Sequence, residues 1–256
     1  MTRLTTLGMA VLAAALLAVA SPWSAPAQEA TPTPGPDQDG IVHVVFETEK
    51  GSIYLAVDTK HAPLTAAGFL HNVDAGNYDE GTFFRTTRRG PASRITIIQA
   101  DIAAAKRANA APAFKIETTT MTLITHTTGT LSMPRGANPD SGRGGLSIMV
   151  GESHSLDANT ETHALGYATF GHIEGGWDAI HAIHQSPAVA RAAGGGRRGR
   201  GRGAAGATTS TLSATPTAIP TPPPNSLPAP DGLPYDASLN PPIEILKAYR
   251  VASGPK

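Results

Sequence analysis

Regular alternation of apolar and polar positions begins at Ile41. Ile41–Thr48 is dense in Val and Phe, and residues 52–57 place Ile53, Leu55 and Val57 on one face. A spacing of two marks a half-buried strand. Glu49-Lys50-Gly51 lies between the two runs and can turn, so the pattern predicts an antiparallel hairpin. The period then changes. Ala66, Ala67, Phe69, Leu70 and Val73 recur at helical spacing behind Pro63, and Gly76 ends the run. Proline suits a first helical position and glycine a helix end. Short strand-like runs follow at 82–87, 94–99, 129–133, 146–150 and 168–173. A second helix is predicted over 176–185, with Trp177, Ile180, Ala182 and Ile183 as its apolar face. A last strand is predicted over 243–251, where Ile243, Ile245 and Tyr249 alternate imperfectly with polar positions. About eight strands and two short helices fit neither a helix bundle nor a βαβ repeat. They point to a mainly β protein closed as an antiparallel barrel.

Both flanks of this pattern carry other signals. Arg3 precedes an apolar run from Leu7 to Ala20, and Ala25-Pro26-Ala27 follows as a small-x-small site. That order predicts a signal peptide over 1–27, cut before Gln28, and a periplasmic or secreted product. The run is short for a membrane span of ~20 residues. Residues 28–39 are rich in proline and polar residues and predict a flexible leader. The folded domain is then expected over 40–256, interrupted at 186–242. That stretch contains Gly194-Gly195-Gly196-Arg197-Arg198-Gly199-Arg200-Gly201-Arg202-Gly203 and then a Thr/Ala/Pro-rich run. It offers little to bury, so it predicts a disordered insertion before the last strand. Closure entropy grows by only about 0.6 kcal/mol per doubling of loop length, so a barrel tolerates such an insertion.

Composition narrows the function classes. The chain has 256 residues, and its 20 basic and 20 acidic residues cancel. That balance argues against a protein built mainly for nucleic acid or anionic membrane. There is no cysteine, which excludes disulfides, zinc-thiolate sites and a thiol nucleophile. His181 and His184 lie three apart on the second predicted helix, with Asp178 nearby. A surface or structural role suits them better than a metal site. The Arg-Gly run could contact RNA or an anionic polymer. In an exported chain a solvated loop is the plainer reading.

The order of short motifs carries a resemblance. Ala62-Pro63-Leu64-Thr65, Phe69-Leu70, Gly76-Asn77-Tyr78 and Thr82-Phe83-Phe84-Arg85 come first. Ile97-Ile98-Gln99 and Gly129-Thr130-Leu131-Ser132-Met133 follow. Ser155-Leu156-Asp157, then Gly166-Tyr167-Ala168-Thr169-Phe170-Gly171 with Gly176-Trp177-Asp178, complete the series. Taken together, over 41–185 and 243–251, they resemble the cyclophilin family. The resemblance implies an eight-stranded barrel capped by two helices and peptidyl-prolyl cis-trans isomerase activity without a cofactor. It implies proline-containing unfolded or exported polypeptides as partners. With the charge balance and histidine spacing above, no nucleic acid and no metal are expected, and the chain is expected to be a monomer free of the membrane once the signal is cut. Arg85 stands where the family has its catalytic arginine, and Gln99 where a glutamine bonds the substrate backbone. Phe84, Ile97, Arg135, Ser147, Leu156 and Tyr167 fall at the substrate-binding positions.

Several of those positions depart from the family pattern. Phe84 replaces a histidine, and Thr96 occupies the place of a pocket phenylalanine. Gly144-Gly145-Leu146-Ser147-Ile148 stands where the family has S-Q-F-F-I, and Pro134-Arg135 follows Met133. Each lost ring removes 150–250 Å² of contact surface. Two readings of different class therefore remain open: a prolyl isomerase, or a cyclophilin-like peptide-binding module or chaperone with weak or no catalysis. A third is a surface interaction protein acting through the 186–242 stretch.

Overall fold

The computed structural model describes residues 33–90, 94–191 and 235–255. The expected signal peptide, the leader up to Pro32, and 192–234 of the expected insertion lie outside the described residues. The first hairpin forms as the pattern predicts. Strands β1 (Ile41–Thr48) and β2 (Gly51–Asp58) pair antiparallel, with Val44 opposite Leu55 and Phe46 opposite Ile53. These four side chains are all buried in the core. Gly51, at φ +115°, makes the turn, and Thr48 Oγ1 donates to its carbonyl at 2.7 Å.

Helix α1 (Pro63–Asp74) begins at the proline and ends before Gly76, whose φ of +62° suits a residue without Cβ. Strands β3 (Gly81–Thr87), β4 (Thr96–Asp101), β5 (Thr130–Met133), β6 (Gly145–Gly151) and β7 (Ala168–Gly175) follow. A single helical turn, α2 (Thr119–Thr122), lies between β4 and β5, and α3 (Trp177–His184) follows β7. Strand β8 (Ala188–Ala190) is short, and β9 (Asp236–Val251) is the longest. The pairing order is β1-β2-β7-β5-β6-β4-β3-β9, and β9 returns to pair with β1. Eight antiparallel strands thus close on themselves, which removes the free edges of an open sheet. Strand β8 adds to the N-terminal end of β9 through Ala188–Leu239 and Ala190–Ala237.

Boundaries differ from the sequence pattern in several places: β4 and β7 each run two residues further, to Asp101 and Gly175. Strand β4 starts at Thr96 instead of 94. Strand β9 reaches back to Asp236, so both ends of the 186–242 stretch belong to the sheet. The reason lies in Pro241 and Pro242, which have no N–H to donate. They fall in the gap between two sets of pairs, Asp236–Ser238 and Ile243–Ile245, both with β3. The strand resumes across them. Inside the barrel, Phe46, Phe69, Tyr78 and Phe170 stack and tilt with ring centroids 5.0–6.0 Å apart. This cluster fastens α1 over one end of the barrel.

Candidate active site

The site lies on the outer face of the barrel, where register brings polar residues into one row. In β4, Ile98 and Ala100 point into the core, so strand alternation turns Ile97 and Gln99 outward. Gln99 pairs with Arg85 of β3 on one side and with Ser147 of β6 on the other. Ser147 pairs with Ser132 of β5, and Ser132 with Thr169 of β7. Arg85 in turn pairs with Ser238 of β9. The row therefore reads Thr169, Ser132, Ser147, Gln99, Arg85, Ser238 across six strands. At one end it is roofed by the segment around α2: Thr122 and Ile124 bond Thr169, and His126 bonds Ser132. The cover thins toward Gln99 and Arg85, which are half-buried.

A bulge aims the arginine. The β3–β4 register shifts between Phe83 and Arg85. Phe83 fills the core while Phe84 and Arg85, consecutive residues, both line the outer groove. In an unbroken strand they would face opposite sides. The groove measures about 1310 Å³. Phe84, Arg85, Gln99 and Arg135 line it, together with Ile102, Ala103, Pro134, Gly144, Gly145 and others. Ile97, Ser147, Leu156 and Tyr167 are not among its lining residues. Ile97 and Ser147 are buried, and Leu156 and Tyr167 are half-buried and joined by the Tyr167 N–H to the Leu156 carbonyl, 3.1 Å. Thr96 donates its N–H to Ser153 Oγ at 3.1 Å.

The guanidinium of Arg85 is held on three of its five N–H donors. Nε and Nη2 donate to Asp236 Oδ1 and Oδ2, each at 2.9 Å, and Nη1 donates to Gln99 Oε1 at 3.1 Å. Among the described residues the other two donors have no partner. A bidentate pair plus an amide fixes the plane of the group while leaving hydrogen-bonding capacity for a ligand. Asp236 is a site residue that sequence reasoning missed. A signal was there: Tyr235, Ala237 and Leu239 are buried and alternate with Asp236 and Ser238, a short period-two run.

Arg135 is ordered differently. Its Nε donates to the Gly166 carbonyl at 2.9 Å and Nη1 to the Gly136 carbonyl at 3.0 Å, and the guanidinium lies over the Tyr167 ring, 4.9 Å from its centroid. Within that roof, His126 is wholly buried between Asp157 (Nδ1 to Oδ1, 2.6 Å) and Ser132 (Nε2 to Oγ, 2.9 Å). Burial holds its imidazole below the usual 6.5, against the opposing pull of Asp157. Among the described residues no group of three His, Asp or Glu could hold a metal ion.

A closed eight-stranded antiparallel barrel of this kind is the cyclophilin fold. A solved structure of a cyclophilin-type peptidyl-prolyl cis-trans isomerase from Cryptosporidium parvum covers 83% of this chain and 99% of its own, with a TM-score of 0.51 at 15% identity. A second structure of it, determined in the presence of the dipeptide Ala-Pro, gives a TM-score of 0.50 at 14% identity, covering 82% and 99%. These establish the fold. The family model for cyclophilin type peptidyl-prolyl cis-trans isomerase/CLD matches residues 43–194, more than half of the chain, and the protein belongs to that family. A peptidyl-prolyl cis-trans isomerase of Acinetobacter baylyi is 32% identical over 144 residues, 56% of this chain and 72% of that one. One of Arabidopsis thaliana is 26% identical over 148 residues, 58% of this chain; the match spans 62% of the plant protein.

Proposed function

We propose that this protein accelerates the cis–trans isomerisation of X–Pro bonds in exported polypeptides, non-covalently, with Arg85 as the catalytic residue. The uncatalysed step takes tens of seconds or longer because amide resonance must be broken. As the bond twists, the prolyl nitrogen becomes pyramidal and regains a lone pair. A donor aimed at that lone pair stabilises the twisted amide more than the planar one, and this difference is what lowers the barrier. No bond is made or broken, so no cofactor is called for. The observation that carries the reading is the Arg85 guanidinium, clamped by Asp236 and Gln99 on the groove floor with two N–H donors left over. Gln99 orients the arginine and is placed to bond the substrate backbone, and Phe84 gives the proline ring an apolar surface. Export is supported by Arg3, the apolar run to Ala20 and the Ala25-Pro26-Ala27 site. Mass analysis of the mature chain tests it: cleavage before Gln28 is expected, and an intact N-terminus on the mature protein contradicts it.

The activity is tested by NMR exchange on an Ala-Pro peptide. Wild type should exceed the uncatalysed rate, and Arg85→Ala should lose about 10²–10³-fold, the usual cost of removing a preorganised donor. Equal rates for wild type, Arg85→Ala and buffer sink the enzyme reading. One observation favours the second reading, a peptide-binding module: among the described lining residues Phe84 is the one aromatic ring. Line broadening of the peptide without added exchange would identify that case.

A further inference from the structure

We infer that the groove carries a carboxylate-binding subsite built on Arg135 and Arg143, and that the peptides it takes preferentially hold an acidic group close to the proline. This rests on the groove being the peptide site. Basic and acidic residues balance over the whole chain, yet five arginines line this one groove: Arg85, Arg107, Arg135, Arg143 and Arg191. Three of them have a carboxylate within 4 Å. Arg85 holds Asp236, Arg107 Nη2 lies 3.0 Å from Asp101, and Arg191 Nε lies 3.9 Å from Asp236. Arg135 and Arg143 have none among the described residues. Their partners are neutral carbonyls: Gly166 and Gly136 for Arg135, Ala111 (2.9 Å) and Ala110 (3.5 Å) for Arg143.

A carbonyl orders a guanidinium without cancelling its charge. Two N–H donors of each arginine are used in this way, and three on each remain. Stacking on Tyr167 removes further freedom from Arg135. Two preset cationic forks therefore flank the groove, and a planar fork matches a carboxylate on two bonds. The lining itself supplies little competition. Its carboxylates are Asp101, already paired with Arg107, and Glu80, which precedes β3. Gly144 and Gly145 let neighbouring side chains close in on this wall: an added Cβ at Gly144 would come within 2.9 Å of Ile102 Cδ1. The Pro134 ring lies over Gly145, where an added Cβ would come within 3.0 Å of Pro134 Cγ. That packing fixes the chain just before Arg135.

The carboxylate could come from an Asp or Glu side chain or from a free chain end, and the test separates the two. Acetylated, amidated Ala-Pro tetrapeptides carry Glu, Gln or Lys at each position beside the proline, and one Ala-only peptide keeps a free C-terminus. Dissociation constants are read by NMR titration, independently of turnover. The best Glu peptide should bind about 10-fold more tightly than its Gln partner, Lys should be weakest, and the Glu/Gln ratio should shrink as salt is raised. Arg135→Gln and Arg143→Gln should each reduce the ratio and the double variant bring it to one. Lys50→Gln, which removes a charge at the β1–β2 turn, should leave it as in wild type. Preference for the free C-terminus alone assigns the subsite to chain ends. If Glu and Gln peptides bind alike at every position, or the double variant keeps the preference, the inference is overturned. Should Arg135→Gln not fold, Arg143→Gln and the salt series decide alone. If no peptide binds, the subsite falls together with the groove reading. A Glu preference without rate acceleration supports the subsite and removes only the catalytic reading.

Discussion

Asp236 grips the guanidinium of Arg85 on two edges, Nε to Oδ1 and Nη2 to Oδ2, both at 2.9 Å. The two residues are 151 apart in sequence and meet because β9 pairs with β3. Asp236 is not among the groove's lining residues; it positions the arginine. Asp236→Asn should lower kcat/KM about 10-fold, with the loss in kcat and little change in KM. The same substitution in an Arg85→Ala background should cost nothing further, because residues that act through one another are not additive. Steady-state kinetics on the four proteins check this. Equal losses in both backgrounds would mean that Asp236 serves the fold and not the arginine.

Why the sequence showed one of these partners and not the other is a matter of range. Arg85 follows two phenylalanines in a short strand run, and the order of the motifs marks it. Asp236 sits beyond a proline- and glycine-rich stretch and before Pro241-Pro242, and composition hides a strand that only cross-strand pairing completes. The β1–β2 hairpin and α1 were legible because their periodicity is uninterrupted and their burial follows it, except at Ala67, which is exposed. The segment 104–127 was not, since its two helical pieces are a 3-10 stretch and one turn, with no period to detect. The bulge at Phe84 was likewise invisible: it is a property of the pairing, and a strand read alone predicts that Phe84 and Arg85 face apart.

His126 gives the protein an acid-sensitive point. Its neighbours are Asp157, Ser132 and, through Asp157, His154 with Glu152. Burial pushes the His126 imidazole below 6.5, so the unfolded chain takes up that proton more readily. Stability from this residue is present above about 6.5 and is lost as pH falls toward the depressed folded value. His154 has the opposite sign. Its hydrogen bond to Asp157 raises it above 6.5, so its contribution is present below 6.5 and lost as pH rises through the raised value. Burial pushes Asp157 up, but the hydrogen bonds from both histidines win and hold it below 3.8, so its own loss comes only in stronger acid. Thermal melts from pH 7.5 to 5 should therefore show a falling midpoint, flattened in His126→Gln and steepened in His154→Gln. An unchanged slope in His126→Gln contradicts the assignment.

Helix α1 has no capping side chain of its own, since its N-cap is Ala62. Glu117, buried and more than fifty residues downstream, serves instead. Its Oε1 accepts from Leu64 N–H at 3.1 Å, and its Oε2 accepts from Thr65 N–H and Thr65 Oγ1, each at 2.7 Å. A carboxylate at a helix N-terminus satisfies orphan donors and matches the helix dipole. Glu117→Ala should cost about 2 kcal/mol and Glu117→Gln about half of that. Urea midpoints at constant m-value measure both. A Glu117→Ala midpoint equal to wild type would show that water caps the helix as well.

Asn72 ties that helix to the wall of the groove. It is wholly buried, and its four bonds use every capacity of the amide. Nδ2 donates to the Gly68 carbonyl at 3.0 Å and to the Arg143 carbonyl at 2.7 Å. Oδ1 accepts from Asn77 Nδ2 at 3.0 Å and from the Ala111 N–H at 3.1 Å. The Ala111 carbonyl in turn receives Arg143 Nε at 2.9 Å. One side chain thus sets both the backbone of Arg143 and the carbonyl that aims its guanidinium. Asn72→Ala strands buried donors and acceptors on three segments and should destabilise by about 3 kcal/mol. Asn72→Asp keeps the volume and the Oδ1 acceptor but turns two donated bonds into oxygen facing oxygen, so its cost should fall on the Arg143 side. Native-state hydrogen exchange separates the two effects. The Ala111 amide should lose protection in Asn72→Ala and keep most of it in Asn72→Asp, while the preference for Glu over Gln peptides shrinks in both. If Ala111 stays protected in Asn72→Ala, the amide is redundant and the groove wall is held by Arg143 alone.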